Sequence, residues 1–590
     1  MRQDGSRLLA CVALLLSLNA CSTLPQTPPT TSSLELRAEA IAAELAQIRG
    51  LGLKQPVPVG LKDKAGLRDA YHTAIEREWS DHDDGTERAY KLFGLLPEEM
   101  MLKSYLLDLY SAQVVGYYDP REAEFFVVEV EEGDSAEQQP ELVRSFVLAH
   151  ELVHALQDQH FDLEAISDRF KRENDRGLAT VAVMEGDAML GASDHLLWQR
   201  AGWPTSLVSP VGRRVVGLLS GLADGLGVAG DTPEAQQLRD APSVVRSELL
   251  FAYLHGMRFI SAIRAEFGWT GVDGVFRDLP DSTEQILHPE RYIDRRDRPA
   301  TLHLAEPPPG WTPAFSETLG MLTTRVLLEE YLGRWAARAA EGWEGDRYVV
   351  WETPDGVALG WLTLWDTGYQ AWRFERTYRR LLRRKLPEGQ AFAVVRRGLA
   401  VAAVQGGSAA EVEAAAIRLL QSRIERSPDD APVESMLRRW LRWPLSLRRL
   451  DRVSELALLG GHLMRLRSHS GGHQLSLLLG WLGRSERTPD RRQLSGALGL
   501  LWASSDRNHA YRAGGIWPLL DLHTRDFGSQ RRADFALLRL PLLGALFSLQ
   551  QGAGITRAEL LRGLVLRVQW GPQLRRGHRV RLLMLPIPGL

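Results

Sequence analysis

One segment of the sequence restricts the fold more than any other. PELVRSFVLAHELVHALQDQ, which begins at Pro140, repeats apolar residues at steps of three and four, and Pro140 suits the first turn of a helix. The segment therefore predicts an amphipathic α-helix. On such a helix His150 and His154 lie one turn apart on the same face, with Glu151 beside them.

The residues HELVH, His150 to His154, have the HExxH spacing that brings two imidazoles to one zinc ion. Zinc lowers the pKa of its water to near 7, and the carboxylate of Glu151 can take the water's proton and later deliver it to a leaving amine. The alternative is that HExxH arises by chance on an ordinary amphipathic helix. We predict one zinc ion, with His150 and His154 as ligands and Glu151 as the general base.

Three residues are candidates for the third ligand. His160 stands where metzincins (HExxHxxGxxH) keep a third histidine, but their chain-turning glycine is replaced here by Gln157. If the helix continues, His160 lies about 240° around and about 9 Å along from His154, away from the metal. Glu185, in a second predicted helix that contains AVMEGDAML, is the preferred ligand, as in gluzincins. Asp187 is either a ligand or a hydrogen-bond partner of a ligand histidine.

Ordered motifs outside the HExxH helix give a more specific pattern. They are VVGYYDP, AHELVHALQDQHFDL, MEGDA, FAYLHG, DSTEQILHPERY, and GWEGDRY followed by LWDT. Over residues 85–380 these motifs resemble a family of bacterial zinc metallopeptidases of the gluzincin type, which is known mainly by sequence. The resemblance implies zinc and a peptidase-like catalytic domain, without a defined substrate.

Supporting residues for peptide hydrolysis are predicted with a structural alternative for each. The β-rich runs QVVGYYDP and EAEFFVVEVEE predict a hairpin, whose arm Val114–Tyr118 is either an ordinary core strand or an edge for an extended substrate. An oxyanion also needs a donor beside the metal. His288 and Tyr253 are the predicted donors, with Tyr292 as a further candidate, although helix capping and packing also explain these residues.

The N-terminus predicts export and lipid anchoring. Arg2 and Arg7 precede an apolar run that is too short to span a bilayer, and Leu18-Asn19-Ala20-Cys21 resembles the lipobox of bacterial lipoproteins. An ordinary secretory signal or a retained anchor is the alternative. Cys11 and Cys21 are the only cysteines, so a metal site must use His, Asp or Glu. We predict a lipid on Cys21 and a place in the cell envelope, at the outer membrane facing the periplasm.

The C-terminal part has a different composition. Residues 431–590 contain 25 Arg, no Lys and 10 acidic residues, a net charge of +15, so residues 1–430 carry −18. Short apolar runs such as LSLLLGWLG alternate with polar turns, which predicts antiparallel strands, with short helices as the alternative. The arginines form either a solvated face or, together with tryptophans, a surface for anionic lipids, glycans or an acidic partner. Nucleic acid is not an expected partner of an exported protein.

The sequence therefore predicts an α+β protein with a zincin-like metallopeptidase domain and a basic, β-rich C-terminal domain. The predicted divisions are a signal peptide at 1–20, a Pro/Ser/Thr tether at 21–35, the metallopeptidase domain at 36–425 and the basic domain at 426–590. The predicted activity is hydrolysis of peptide bonds in a peptide or protein substrate. A binding or assembly lipoprotein with a structural or vestigial zinc site is the alternative, and hydrolysis of a non-peptide amide in the cell wall stays open.

Overall fold

The computed structural model describes residues 31–62, 64–113, 116–128, 141–201, 233–294 and 296–426, and the strands between 445 and 586. The predicted signal peptide, Cys21 and the Gly-rich stretch Val211–Asp231 lie outside these residues. The chain divides into two compact units, the first of which contains the described residues up to 196 and from 233 to 426. The second contains the strands from 445 onward. A mixed α+β architecture, as predicted from the sequence, is confirmed.

The first unit is mostly helical. Its helices are α1 Thr31–Arg49, α2 Lys64–Glu78, α3 Asp81–Phe93, α4 Leu102–Gln113, α5 Glu141–Phe161, α6 Leu163–Phe170, α7 Asn174–Ala201, α8 Pro233–Asp240, α9 Ser243–Leu250, α10 Gly256–Arg277, α11 Thr283–Leu287, α12 Glu290–Ile293, α13 Gly320–Leu332, α14 Arg334–Ala337, α15 Gly368–Lys385 and α16 Ala409–Leu419. A π-helical turn, Phe251–His255, joins α9 to α10, and a 3₁₀ turn, Arg338–Ala340, follows α14. No helix among the described residues is both long and apolar enough to cross a bilayer.

Three small sheets accompany these helices. Their strands are β1 Val59–Lys62, β2 Gly116–Asp119, β3 Glu124–Val128, β4 Thr301–His303, β5 Thr312–Glu317, β6 Trp343–Thr353, β7 Gly356–Trp365, β8 Phe392–Arg397, β9 Ala400–Gln405 and β10 Arg423–Glu425. The sheet orders are β1-β3-β2, β10-β4 and β5-β6-β7-β9-β8. The predicted hairpin is confirmed as the antiparallel pair β2 and β3, and β2 lies at a sheet edge.

Most helices and strands expected from the sequence are present. The helix predicted from Pro140 is α5, and the helix predicted around MEGDA is α7. The segments GDRYVVWETPDGVALGWLTLWDT and AFAVVRRGLAVAAVQGG each predict a strand pair, and they form β6 with β7 and β8 with β9. One boundary differs, because α1 begins at Thr31 and takes in residues 31–35 of the predicted tether. The segment SELLFAYLHGMRF predicts a helix, which the π-helical turn interrupts.

The core of the first unit lies on both faces of the β5–β9 sheet. Tyr348 and Val350 of β6 pack with α3, α13 and α15, whereas Val349 and Trp351 pack with α16 on the opposite face. This alternation follows from the two-residue period of a strand. Buried residues of α7, α10 and α13 belong to the same cluster as Tyr348, so these helices share one core with the sheet.

The second unit is described through fifteen strands. They are β11 Leu445–Arg449, β12 Val453–Leu458, β13 Met464–His469, β14 Gly472–Leu477, β15 Gly483–Arg487, β16 Arg491–Gly496, β17 Leu501–Asp506, β18 Tyr511–Ile516, β19 Leu520–Phe527, β20 Gln530–Leu540, β21 Gly544–Gly552, β22 Ile555–Leu560, β23 Leu566–Trp570, β24 His578–Leu582 and β25 Leu585–Pro586. Each strand pairs with the next in antiparallel order. The prediction of antiparallel strands is confirmed for these residues, and no helix occurs among them.

Candidate metal centre

Three ligand atoms converge at the facing surfaces of α5 and α7. Oε2 of Glu185 lies 3.1 Å from Nε2 of His150 and 3.6 Å from Nε2 of His154, and the two nitrogens are 3.2 Å apart. Zinc with ligand bonds of about 2.05 Å and tetrahedral angles separates its ligand atoms by about 3.3 Å. The triangle therefore has the size of one face of a zinc tetrahedron, and the three groups together can hold a metal ion.

Close helix packing explains how α7 brings Glu185 to the two histidines. Gly186 and Gly256 lie where α7 crosses the start of α10: a Cβ on Gly256 would come within 2.0 Å of the carbonyl oxygen of Ala182, and one on Gly186 within 2.1 Å of the Gly256 backbone. Further along α7, Gly191 faces the side chain of Val153, so α7 also lies close to α5. Residues with a β-carbon at these positions would push the helices apart.

Gln157 determines which nitrogen of His154 faces the ligand triangle. The side-chain nitrogen of Gln157 donates to the carbonyl oxygen of Met184 at 2.9 Å and to Oδ2 of Asp187 at 3.1 Å. Its Oε1 must then accept the hydrogen bond from Nδ1 of His154, at 2.9 Å. A neutral His154 with its proton on Nδ1 would have the lone pair of Nε2 free for a metal ion between Glu185 and His150. This is the tautomer that a metal ligand needs.

Asp187 supports this site without belonging to the ligand triangle. Its carboxylate is fully buried and accepts hydrogen bonds from Arg49, at 3.0 and 3.2 Å, as well as from Gln157. The prediction that Asp187 is a ligand or bonds a ligand histidine directly is therefore corrected, because Gln157 stands between Asp187 and His154. Arg49, also buried, pairs in addition with Asp273 at 2.6 Å. The end of α1 is thereby linked to the metal centre through buried charges.

His160 lies outside the ligand triangle. Its Nε2 donates to the carbonyl oxygen of Gly52 at 2.9 Å, in the segment after α1. Helix α5 continues to Phe161 and carries His160 away from the direction of His154, as the sequence predicts. Gln157, at the position of the metzincin glycine, instead accepts a hydrogen bond from His154.

Glu151 is held beside the ligand triangle by the edge strand β2. The backbone N–H of Tyr118 donates to Oε2 of Glu151 at 2.9 Å, and the hydroxyl of Tyr118 donates to Oδ2 of Asp158 at 2.9 Å. The two bonds tie β2 to α5 at points two turns apart on the same helix. Because the Tyr118 N–H bonds Glu151, this side of β2 faces α5 and its other side pairs with β3.

The charges of the centre are strongly coupled. Burial opposes a charge on His154, but the Glu185 carboxylate outweighs it and raises the pKa of His154 to about 9. Burial likewise opposes a charge on Glu185, yet the two histidines hold the pKa of this carboxyl well below its usual range. The pKa of Glu151 is raised, mainly by burial and against the attraction of both histidines. The carboxylate of Glu185 therefore stays charged, whereas the carboxylate of Glu151 is the more basic of the two.

The two predicted oxyanion donors occupy different environments. The Tyr253 ring, in the π-helical turn, stacks on His150 with ring centroids 6.0 Å apart, which places Tyr253 beside the metal centre. His288 lies 3.2 Å from Glu341 and 3.7 Å from Glu290, and those carboxylates raise its pKa to about 9 against the effect of burial. The contacts of the described residues do not bring His288 to the ligand triangle. The hydroxyl of Tyr292 donates a hydrogen bond to the carbonyl oxygen of Asp278, and this contact lies outside the ligand triangle.

The spacing of motifs along the chain does not identify several residues that surround the metal centre. Gln157 could have been noticed, because it lies three residues after His154 on the same helix face. Arg49 and Tyr118 reach the site from distant parts of the chain, and no local pattern marks them. The glycines of MEGDA and FAYLHG were visible as letters in the sequence, but their close approach depends on the crossing of two helices.

Comparisons with known proteins give a family match and a structural match. Residues 312–416 match a family model described as a domain of unknown function (DUF8575). This segment runs from β5 into α16 and contains neither α5 nor α7. No curated protein matches the chain. Among solved structures, the chain is similar to the crystal structure of a presumed hydrolase with a novel fold from Chloroflexus aurantiacus. The sequence identity is 16% and the TM-score is 0.27, over 45% of this chain and 91% of that chain.

Proposed function

We propose that this protein is a zinc-dependent peptidase with a zincin-like catalytic domain. The observation that carries the proposal is the position of the Glu151 carboxylate, which a backbone hydrogen bond from Tyr118 holds in electrostatic contact with His150, His154 and Glu185. A purely structural zinc site has no need of such a group. The same observation therefore favours an enzyme over a binding lipoprotein.

Each residue of the centre has a defined role in this proposal. His150, His154 and Glu185 would hold the metal, and a site with three protein ligands would have room for a water. Zinc bound there would supply a water of lowered pKa and would polarise the substrate carbonyl. Oε2 of Glu151 accepts the Tyr118 N–H, so Oε1 is the atom that takes the proton from the water. Because burial raises the pKa of Glu151, its carboxyl can hold this proton until the leaving amine accepts it.

The edge strand β2 supports a peptide as the substrate. Strand β2 is an outer strand of its sheet, and its unpaired side faces Glu151. An extended peptide that adds to such an edge gains main-chain hydrogen bonds and brings successive amide bonds past one point. Tyr253, stacked on His150, is the proposed donor to the developing oxyanion, while His288 has no part in this proposal.

The proposed setting of the enzyme follows from its N-terminus. A lipid on Cys21 would keep the first unit at the envelope membrane, on the periplasmic side of the outer membrane. The basic second unit would offer a surface to anionic or glycan partners. These assignments continue the sequence predictions.

Replacement of Glu151 by Gln tests the proposal. With the chain from Ser22 onward, which lacks the lipid site, the parent should cleave quenched fluorescent peptides and contain about one zinc. Glu151→Gln should keep the zinc and lose at least about a hundredfold in kcat. Glu98→Gln, an exposed glutamate in the loop after α3, is the matched control. Equal cleavage by parent and Glu151→Gln, or zinc-loaded parent without cleavage of any peptide, would contradict the proposal.

A further inference from the structure

Helix α15 carries a concentration of positive charge in a strongly acidic part of the chain. Its 18 residues, GYQAWRFERTYRRLLRRK, contain seven basic residues and one acidic residue. Residues 1–430 as a whole have a net charge of −18. The helix is therefore an exception to the composition around it.

The exposed residues of α15 form one stripe. Tyr369, Trp372, Arg376, Arg380, Arg383 and Arg384 are exposed, whereas Ala371, Phe374, Tyr378, Leu381 and Leu382 are buried. At 100° per residue the six exposed positions fall within about 60° on either side of Tyr369, over a length of about 22 Å. The opposite face packs into the core with β6 and β7. The stripe is a face of a firmly held helix and not a mobile tail.

The stripe has two chemically different ends. At its start the residues Tyr369 and Trp372 are 65% and 40% exposed, and their ring centroids lie 5.8 Å apart. The guanidinium of Arg376 lies 5.0 Å from the Trp372 ring, and the three remaining arginines continue toward the C-terminus of the helix. Arg376, Arg380, Arg383 and Arg384 form no ion pair with the described residues, whereas Arg379 and Arg396 both pair with Glu375.

We propose that this stripe, Tyr369 to Arg384, docks the first unit on an anionic phospholipid surface. Exposed Trp and Tyr rings favour the interface between head groups and acyl chains, and each arginine near an anionic surface adds roughly fivefold to binding. Arginines without carboxylate partners lose no ion pair when they meet phosphate groups.

The N-terminal tether would limit the distance between the first unit and the bilayer. Residues 22–30 precede α1, and a fully extended chain from a lipid on Cys21 to Thr31 spans at most ~35 Å. The first unit would then remain within reach of the bilayer at all times. This inference concerns a surface on α15 and does not depend on the proposed peptidase activity.

A probe at Tyr369 separates this contact from any made by the basic second unit. The chain from Ser22 onward contains no cysteine, so Tyr369→Cys can carry a single environment-sensitive fluorophore. Ile417→Cys, 47% exposed on α16, is the control position. With vesicles containing phosphatidylglycerol we expect emission at position 369 to rise and shift to the blue, with little change at 417. Neutral phosphatidylcholine vesicles should give neither change.

Charge variants test the role of the arginines in the same assay. Arg376→Gln, Arg380→Gln, Arg383→Gln and Arg384→Gln combined should reduce the response at 369 at least about tenfold in vesicle affinity. The control carries the same charge change at exposed sites outside the stripe: Arg68→Gln, Arg334→Gln, Arg418→Gln and Arg423→Gln. This control should bind like the parent.

Four outcomes would overturn the proposal. They are no response at 369 with anionic vesicles, an equal response at 417, an equal loss in the control variant, and a response to polyglutamate but not to vesicles. The last result would assign the stripe to an acidic protein.

Discussion

Oε1 of Gln157 accepts a hydrogen bond from Nδ1 of His154 at 2.9 Å, while the amide nitrogen of the same side chain donates to Met184 and Asp187. The Met184 carbonyl and the Asp187 carboxylate can only accept hydrogen bonds, so they must face the amide nitrogen of Gln157. This fixes the orientation of the amide. His154 consequently presents Nε2 to the metal centre.

Loss of this hydrogen bond should weaken metal binding. In Gln157→Met the side chain keeps its approximate size, but His154 loses the acceptor that holds its ring and tautomer. Outer partners of metal ligands typically contribute 10- to 100-fold to affinity, so we expect a loss in that range for zinc, measured by competition with a chelating dye. Gln159→Met, on the same helix and paired with Lys54, should leave the affinity unchanged. Equal affinities in both variants would exclude a positioning role.

The identity of the third ligand can be decided by metal content. We expect about one zinc per chain in the parent and in His160→Ala, because His160 bonds the Gly52 carbonyl away from the triangle. Glu185→Ala should lose zinc on dialysis, since only two protein ligands remain. Elemental mass spectrometry of the three proteins measures this. Zinc retained in Glu185→Ala but lost in His160→Ala would reverse the assignment.

The close crossing of α7 and α10 should not tolerate a larger residue. In Gly256→Ala the new methyl group would meet the Ala182 carbonyl oxygen, and the displaced α7 carries Glu185. We expect a loss of about 1–3 kcal/mol in the free energy of unfolding, together with weaker zinc binding. Urea denaturation and zinc titration measure the two effects. Gly274→Ala is the control, in the part of α10 that follows the non-helical residue Gly268: a Cβ there meets nothing within 4 Å, so the variant should be neutral or slightly stabilising.

A buried carboxyl should make the first unit less stable at alkaline pH. Burial raises the pKa of Asp175 to about 7, although Thr283 donates two hydrogen bonds to it. Between its ordinary pKa near 3.8 and about 7, the folded state keeps a proton that the unfolded state releases. The stability from Asp175 is thus complete below about pH 4 and is lost as the pH rises through 7.

Thermal unfolding at pH 5 and pH 8 tests this prediction. Asp175→Asn should reduce the difference in Tm between the two pH values, because an amide does not titrate. Asp168→Asn, exposed on α6, should keep the difference of the parent. A pH dependence that is unchanged in Asp175→Asn would show that other groups cause it.

Local sequence patterns were sufficient for the secondary structure around the site. The three- and four-residue apolar steps predicted α5, a second helix was predicted around MEGDA, and the β-rich runs predicted β2, β3 and the strand pairs of the larger sheet. The π-helical turn at Phe251–His255 was not predicted, because a turn of five residues is too short to show a period of its own in the sequence. The start of α1 at Thr31 was also not predicted, because residues 31–35 have the Thr- and Ser-containing composition of a tether but form part of the helix.

For the metal centre, helix geometry explains the spacing of His150, Glu151 and His154, so five residues of sequence were enough to align two imidazoles. The meeting of Glu185 with them depends on two helices that pack through Gly186, Gly191 and Gly256. The hydrogen bonds from Gln157 and Tyr118, and the buried charge of Arg49, join residues up to 224 positions apart. Such contacts arise from the packing of elements that are separate along the chain. A periodic pattern within one helix or strand does not show which other elements pack against it.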